Sequence, residues 1–120
     1  MSIAIGKYIK YKLSGIVSII NPLAKPEDET KPFIVYKRKY VQPEYTRDGV
    51  AFNVTGVQID VVSTDYSNSI DLAEQVRSAL ECKSGAYSGV SVTQCELTGA
   101  DENYDGNLYI QTLVFEFKTN

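Results

Sequence analysis

The feature that most constrains this fold is a strand pattern that runs without a spacer into a helix pattern. From Val50 to Ser63 the residues alternate, with Val57, Ile59 and Val61 on one face and Gln58 and Asp60 on the other. Thr64, Asp65 and Ser67 are all competent helix caps, and an apolar stripe of Ile70, Ala73, Val76 and Leu80 follows, flanked by Leu72 and Ala79. The spacing predicts a helix from about Asp65 to Cys82 whose stripe must be covered by a sheet. Gly56 interrupts the strand pattern, as an interior glycine does at a bulge or bend.

The rest of the chain supplies the partners. Ile5, Tyr8, Ile9, Leu13 and Ile16 share one helical stripe, with Lys7, Lys10 and Lys12 off it, so an amphipathic helix is expected from about Ile3 to Ser14, ended by Gly15. Ile16–Ile20 is dense in β-branched residues and stops at Asn21-Pro22, which suits a short strand. Ala24 to Pro32 has a proline near each end and charge between, and reads as an exposed loop. Phe33–Val41 reads as a strand, Gln42–Gly49 as a loop closed by Asp-Gly, and Lys83–Gly89 as a turn. Val90–Leu97 alternates as a strand. The last strand, Leu108 to Lys118, sets Tyr109, Leu113, Phe115 and Phe117 against Ile110, Thr112, Val114 and Glu116. Strands joined by such short turns pair antiparallel. The expected fold is therefore α+β: an antiparallel sheet of four to five strands with two helices packed on one face, in the order α-β-β-β-α-β-β. The opposite face, with Gln58, Asp60, Thr112 and Glu116, is expected to meet water or a partner.

A length of 120 residues fits one domain over 1–120, and 43% apolar content is enough for a core. Acidic residues outnumber basic ones, 15 to 12, which disfavours specific nucleic-acid binding. The start lacks the pattern of a signal peptide and no stretch is long enough to span a bilayer, so a cytoplasmic chain is expected. Cys82 and Cys95 flank a Gly/Ser-rich turn and are read as small apolar residues in a reducing compartment.

Chemistry has few components to work with. The sequence contains no histidine, which removes the commonest general base, the triad base and the commonest transition-metal ligand. Glu27 with Glu29, and Asp101 with Asp105, fall in segments expected to be solvated, where nothing tunes a carboxylate for acid–base work. The glycines do not form a phosphate-cradling loop. Asp101-Glu102-Asn103-Tyr104-Asp105-Gly106 imitates the first half of a calcium loop, but position twelve is Thr112 where a bidentate glutamate is required, and a hairpin explains the same residues. No catalytic residue, metal or cofactor is therefore assigned. Lys37, Arg38 and Lys39 with Tyr36 and Tyr40 fit a solvated edge strand better than a single-strand binding groove, since only Lys37 and Lys39 would project together. Nine tyrosines without tryptophan suit half-wet subunit contacts and half-exposed sheet positions alike.

Three stretches taken in order carry a family resemblance. They are Pro32-Phe33-Ile34-Val35-Tyr36; Val57-Gln58-Ile59-Asp60-Val61 running through Tyr66 into Asp71–Leu80; and Tyr109–Phe117. Together they resemble the tail completion, or tail terminator, proteins of long-tailed bacteriophages and prophages. The resemblance implies a structural protein without enzymatic activity. It implies copies that form a hexameric ring on assembly, from chains that can be monomeric in solution, ending the tail tube and joining it to the head connector. Its partners would be itself, the tail tube protein and the connector proteins, in the host cytoplasm during assembly and then in the virion tail. The family has no short functional signature, so only a ring-building role for exposed loops carries over, here to Lys25, Glu27, Asp28, Glu29 and Lys31, and to Gln42, Glu44, Tyr45, Arg47 and Asp48. The other reading open to the sequence is a non-enzymatic binding module of a bacterial cytoplasm that holds one protein partner.

Overall fold

The computed structural model describes residues 5–17, 19–23 and 32–119. The elements are α1 (Ile5–Leu13), β1 (Ile20–Pro22), β2 (Phe33–Thr46), β3 (Gly49–Ser63), α2 (Tyr66–Leu80), β4 (Gly85–Tyr87), β5 (Val90–Asp105) and β6 (Leu108–Thr119). Among these residues six strands form one curled half-barrel sheet of order β1-β2-β3-β6-β5-β4. The expected antiparallel sheet of four to five strands, in the order α-β-β-β-α-β-β, is corrected in two respects. β4 adds a strand inside the segment read as a turn, and β1 lies parallel to β2, which makes the sheet mixed. Both are three-residue edge strands, too short for an alternating pattern to declare itself. β1 also falls later than the β-branched run suggested, and its edge position tolerates Pro22, which has no amide proton to donate.

Alternation places the core. Val57, Ile59 and Val61 of β3 face the helices, and so do Leu113, Phe115 and Phe117 of β6 across the register Val57↔Phe115 and Ile59↔Leu113. Ile34 and Tyr36 of β2, and Val90, Val92 and Cys95 of β5, extend this surface. α1 covers it with Ile5, Tyr8, Ile9 and Leu13; α2 covers it with Leu72, Ala73, Val76 and Leu80. Each large apolar side chain removed from water contributes about 1.5–3 kcal/mol, so the double layer holds the sheet's curl.

The local signals explain the helix ends. Asp65 Oδ2 accepts the amide of Asn68 at 3.1 Å, which caps α2. The helix stops at Leu80, before the expected Cys82, because Cys82 takes a left-handed φ of 60°. The buried stripe is Ser69, Leu72, Ala73, Val76 and Leu80, and Ile70, expected in it, is 37% exposed. Ser69 takes that place because it is small and polar on both sides: its Oγ donates to the Tyr66 carbonyl at 2.6 Å and accepts from Gln111 Nε2 at 3.3 Å. Helix and sheet close together at a hydroxyl where a hydrophobic side chain had been expected.

The hairpins are tighter and longer than the sequence suggested. β2 continues through the expected Gln42–Gly49 loop to Thr46 and turns at Arg47 and Asp48. β5 continues through Asp105 and turns at Gly106 and Asn107, whose φ values of 55° and 67° are those of a two-residue hairpin. Gly56 marks no bulge in β3. The irregularity lies in β2, between Arg38 and Tyr40, and the glycine leaves room for the Tyr40 ring, which crosses it to donate to Glu116 Oε2 at 2.7 Å.

Leu80 is 1% exposed, and its truncation to alanine should cost about 2–5 kcal/mol in chemical denaturation. A loss within measurement error would place the stripe in solvent. A Cβ at residue 56 would lie 2.2 Å from Tyr40 Cε2. Gly56→Ala should therefore lose about 1–3 kcal/mol, and clearly less in a Tyr40→Ser background; equal losses in both backgrounds would remove the ring as the obstacle.

Candidate interaction surfaces

The molecule is elongated, with extents of 52 × 24 × 23 Å, and the sheet sets a hairpin at each end. Asn53 of β3 already pairs with Thr119, the last residue of β6, so Glu44 to Phe52 projects past the body as a two-stranded ribbon. Gln42, Glu44, Tyr45, Arg47 and Asp48 come together on this ribbon and at its base, all exposed, with Tyr45 at 71%. They are strand and turn residues, not the loop expected. Lys25, Glu27, Asp28, Glu29 and Lys31 lie outside the described residues. At the other end the β5–β6 hairpin stands beside the start of α2. There Tyr104 and Tyr66 flank Tyr109 at 4.9 and 5.5 Å between ring centroids, and Tyr66 Oη donates to Glu102 at 3.0 Å. That hydrogen bond to a carboxylate raises the Tyr66 phenol above its ordinary pKa.

The face away from the helices is polar in its middle and apolar at one end. Thr112 Oγ1 donates to Asp60 Oδ1 at 2.7 Å and Gln58 Nε2 to the same carboxylate at 3.3 Å, so the polar residues expected here are half-buried and bonded to one another. Toward the β5–β6 tip, Leu23, Phe33, Val35, Val62, Leu108 and Ile110, with Asp60 and Asp105, line a cleft of about 230 Å³. The sequence reading missed this cleft, although the apolar start of β2 carried the signal. Toward the ribbon, Lys118 Nζ stands 4.0 Å from the centre of the Phe52 ring. Six of the nine tyrosines are substantially exposed, Tyr11 stacking on Tyr87 at 4.2 Å. Aromatic bodies with wet tips suit contacts between proteins.

The arrangement offers little to chemistry. Cys95 is buried and its thiol is pushed up to about 12, chiefly by burial, so it stays protonated at neutral pH. Its carbonyl accepts the amide of the exposed Cys82 at 2.9 Å, and both thiols are free. Among the described residues no three His, Cys, Asp or Glu side chains are grouped to hold a metal. Asp101, Asn103 and Asp105 lie on one face of the extended β5, where alternate residues are spaced about 6.8 Å apart along the strand and cannot converge on one ion. Asp101 and Asn103 instead accept the amides of Glu102 and Tyr104 at 2.8 Å. Melting curves with and without millimolar calcium should coincide; a calcium-dependent rise in melting temperature would mean the strand had been misread.

Comparison with known proteins bears on the family and the fold. The sequence model of the family described as Tail completion protein gp17 matches residues 16–119. No curated protein matches the chain. Among solved structures, a chain of the virion of a native gene transfer agent particle is similar in fold, with a TM-score of 0.77 at 14% sequence identity, covering 92% of this chain and 90% of that one. A match over residues 16–119 takes in every strand of the sheet and all of α2, and on that ground the chain belongs to the tail completion protein family and is a structural protein of the phage tail.

Proposed function

We propose that copies of this chain form a closed ring, a hexamer on assembly, that ends the tail tube and joins it to the head connector, and that the chain performs no catalysis. Membership of the tail completion family supports the place of action. The observation that carries the reading further is the pair of chemically different tips at opposite ends of the sheet: the Glu44–Phe52 ribbon at one and the Tyr66–Tyr104–Tyr109 cluster at the other. A joining protein must present different surfaces to two neighbours, and an elongated sheet with unlike ends supplies them. Head-to-tail contacts close into a ring when the rotation per copy divides a full turn. In this reading Gln42, Glu44, Tyr45, Arg47 and Asp48 contact a neighbour through the ribbon, and Lys25, Glu27, Asp28, Glu29 and Lys31 add contacts of their own. Assembly takes place in the host cytoplasm and the product stays in the virion at the junction of head and tail.

Deleting the gene from its phage or prophage tests this. Tails of abnormal length, or finished heads beside unjoined tails, are the expected particles. Normal infectious particles would exclude the role.

A further inference from the structure

The face of α1 that the core does not use is basic and aromatic. Ile5, Tyr8, Ile9 and Leu13 are buried, whereas Lys7, Lys10 and Tyr11, at i, i+3 and i+4, stand together on the exposed side. With Ser14, Tyr87 of β4 and Ser88 of the turn after it, they line a cleft of about 420 Å³. Two of these residues make a flat aromatic surface: Tyr11 and Tyr87 stack at 4.2 Å with planes 12° apart, and they are 52% and 42% exposed. No acid lines the cleft. Ile5–Val17 and Lys83–Cys95 contain Lys7, Lys10, Lys12 and Lys83 and no Asp or Glu, in a chain whose net charge is -3. Glu81, next to the second of these segments, is paired with Arg77, and that is the one ion pair among the described residues. Two ammonium groups beside stacked rings suit an anionic segment that also carries an aromatic body.

Such a segment lies at the other end of the same chain. Thr93–Phe117 carries Glu96, Asp101, Glu102, Asp105 and Glu116 and no Lys or Arg. Asp101, Glu102 and Asp105 gather at the β5–β6 tip, all exposed, around Tyr104, which is 55% exposed. The tip is held in shape, since Tyr104 Oη donates to Asn107 Oδ1 at 3.0 Å across the turn at Gly106 and Asn107. A preformed tip loses little freedom on docking. It cannot reach the cleft of its own chain. Tyr104 is level with Tyr109 at one end of β6, while Val92, beside β4, is level with Thr119 at the other, which sets them about 33 Å apart along the strand.

We propose that the acidic β5–β6 tip of one copy docks in the lysine and tyrosine cleft between α1 and β4 of the next. A hairpin tip entering end-on presents both of its faces, so Asp101 and Asp105 meet Lys7 and Lys10, and Tyr104 meets the Tyr11–Tyr87 surface. The partner is a second copy of this chain because each copy carries both halves of the match, opposite in charge and at opposite ends of the sheet. Contact between unlike patches is head-to-tail and closes into a ring. The cleft lies at the ribbon end of the body, since Thr119 is level with both Val92 and Asn53, so the receiving copy's ribbon starts from the end at which the tip arrives. This rests on the ring reading above and specifies one of its contacts.

The test is charge reversal with rescue between chains, read as infectious titre from a phage or prophage carrying each variant. Lys7→Glu with Lys10→Glu, and separately Asp101→Lys with Asp105→Lys, should each lower the titre about tenfold or more, as the loss of one decade in an association constant would. Co-expression of the two variants should restore most of it, because in a ring that alternates them every cleft meets a tip of opposite charge. Two chains that merely fold badly would stay poor together. Pairs with no effect, or no rescue on co-expression, would overturn the docking. A loss from the cleft pair alone would give the cleft to a partner of another kind and overturn it equally. A second measurement covers variants that fail to fold: in a Cys82→Ser background, Ser88→Cys with Asn103→Cys should be joined between copies by a short bismaleimide in assembled particles. Monomer alone after that treatment would also overturn the proposal. If deletion of the gene leaves particles normal, the ring reading itself falls; if deletion abolishes joining but reversal and cross-linking show nothing, only the docking falls.

Discussion

Everything in this molecule hangs on the antiparallel pairing of β3 with β6 at one register. That register puts Val57, Ile59 and Val61 on the same face as Leu113, Phe115 and Phe117, and it is this combined surface that α1 and α2 cover. A slip of β6 by one residue against β3 would turn Leu113, Phe115 and Phe117 to the helix-free face and bring Thr112 and Glu116 under the helices. Burying Glu116 without a cation would cost far more than any local hydrogen bond returns. The pairing is thus fixed by what it would cost to be wrong. The positions of β2 and β5 follow, since each has only one free edge of the central pair to join.

The same central pair decides how the chain can act. Because β6 ends at Thr119 opposite Asn53, the β2–β3 hairpin runs on past the body as the ribbon at Arg47 and Asp48, while the β5–β6 hairpin turns beside α2 at Gly106 and Asn107. What the fold exposes is therefore edges, tips and tyrosines. What it buries is mostly apolar, with a few hydroxyls such as Ser69 and a cysteine whose thiol burial keeps protonated. A protein whose work is to hold neighbours in register needs the first set, and a family of tail completion proteins is a natural owner of such a shape.

Much of this was legible in the residues, for identifiable reasons. β3, α2 and β6 were read correctly because each is long enough for its period to repeat and each has a chemically distinct face. Val57, Ile59 and Val61 against Gln58 and Asp60 is an unambiguous alternation, and Asp65 is a cap with a helix behind it. β1 and β4 escaped because three residues cannot show a period and their pairing is decided by neighbours distant in sequence. The ribbon was taken for a loop because Pro43, Asp48 and Gly49 are turn formers, yet at the end of a two-stranded ribbon they cost nothing that pairing with β3 does not repay. Ile70 was assigned to the core on period alone; helix rotation is set by the closest approach to the sheet, and Ser69 permits a closer one. The resemblance identified the family, but the strand order that sets β6 between β3 and β5 could not be found in the sequence.

The claim that this chain closes the end of a tail tube is tested most directly by electron microscopy of the purified protein mixed with tail tubes from a deletion strain. The account predicts rings seated at one end of each tube, with the tube walls bare and no further tube subunits added beyond the ring. Protein bound along the tube walls, or tubes that keep growing with both ends unchanged, would contradict it.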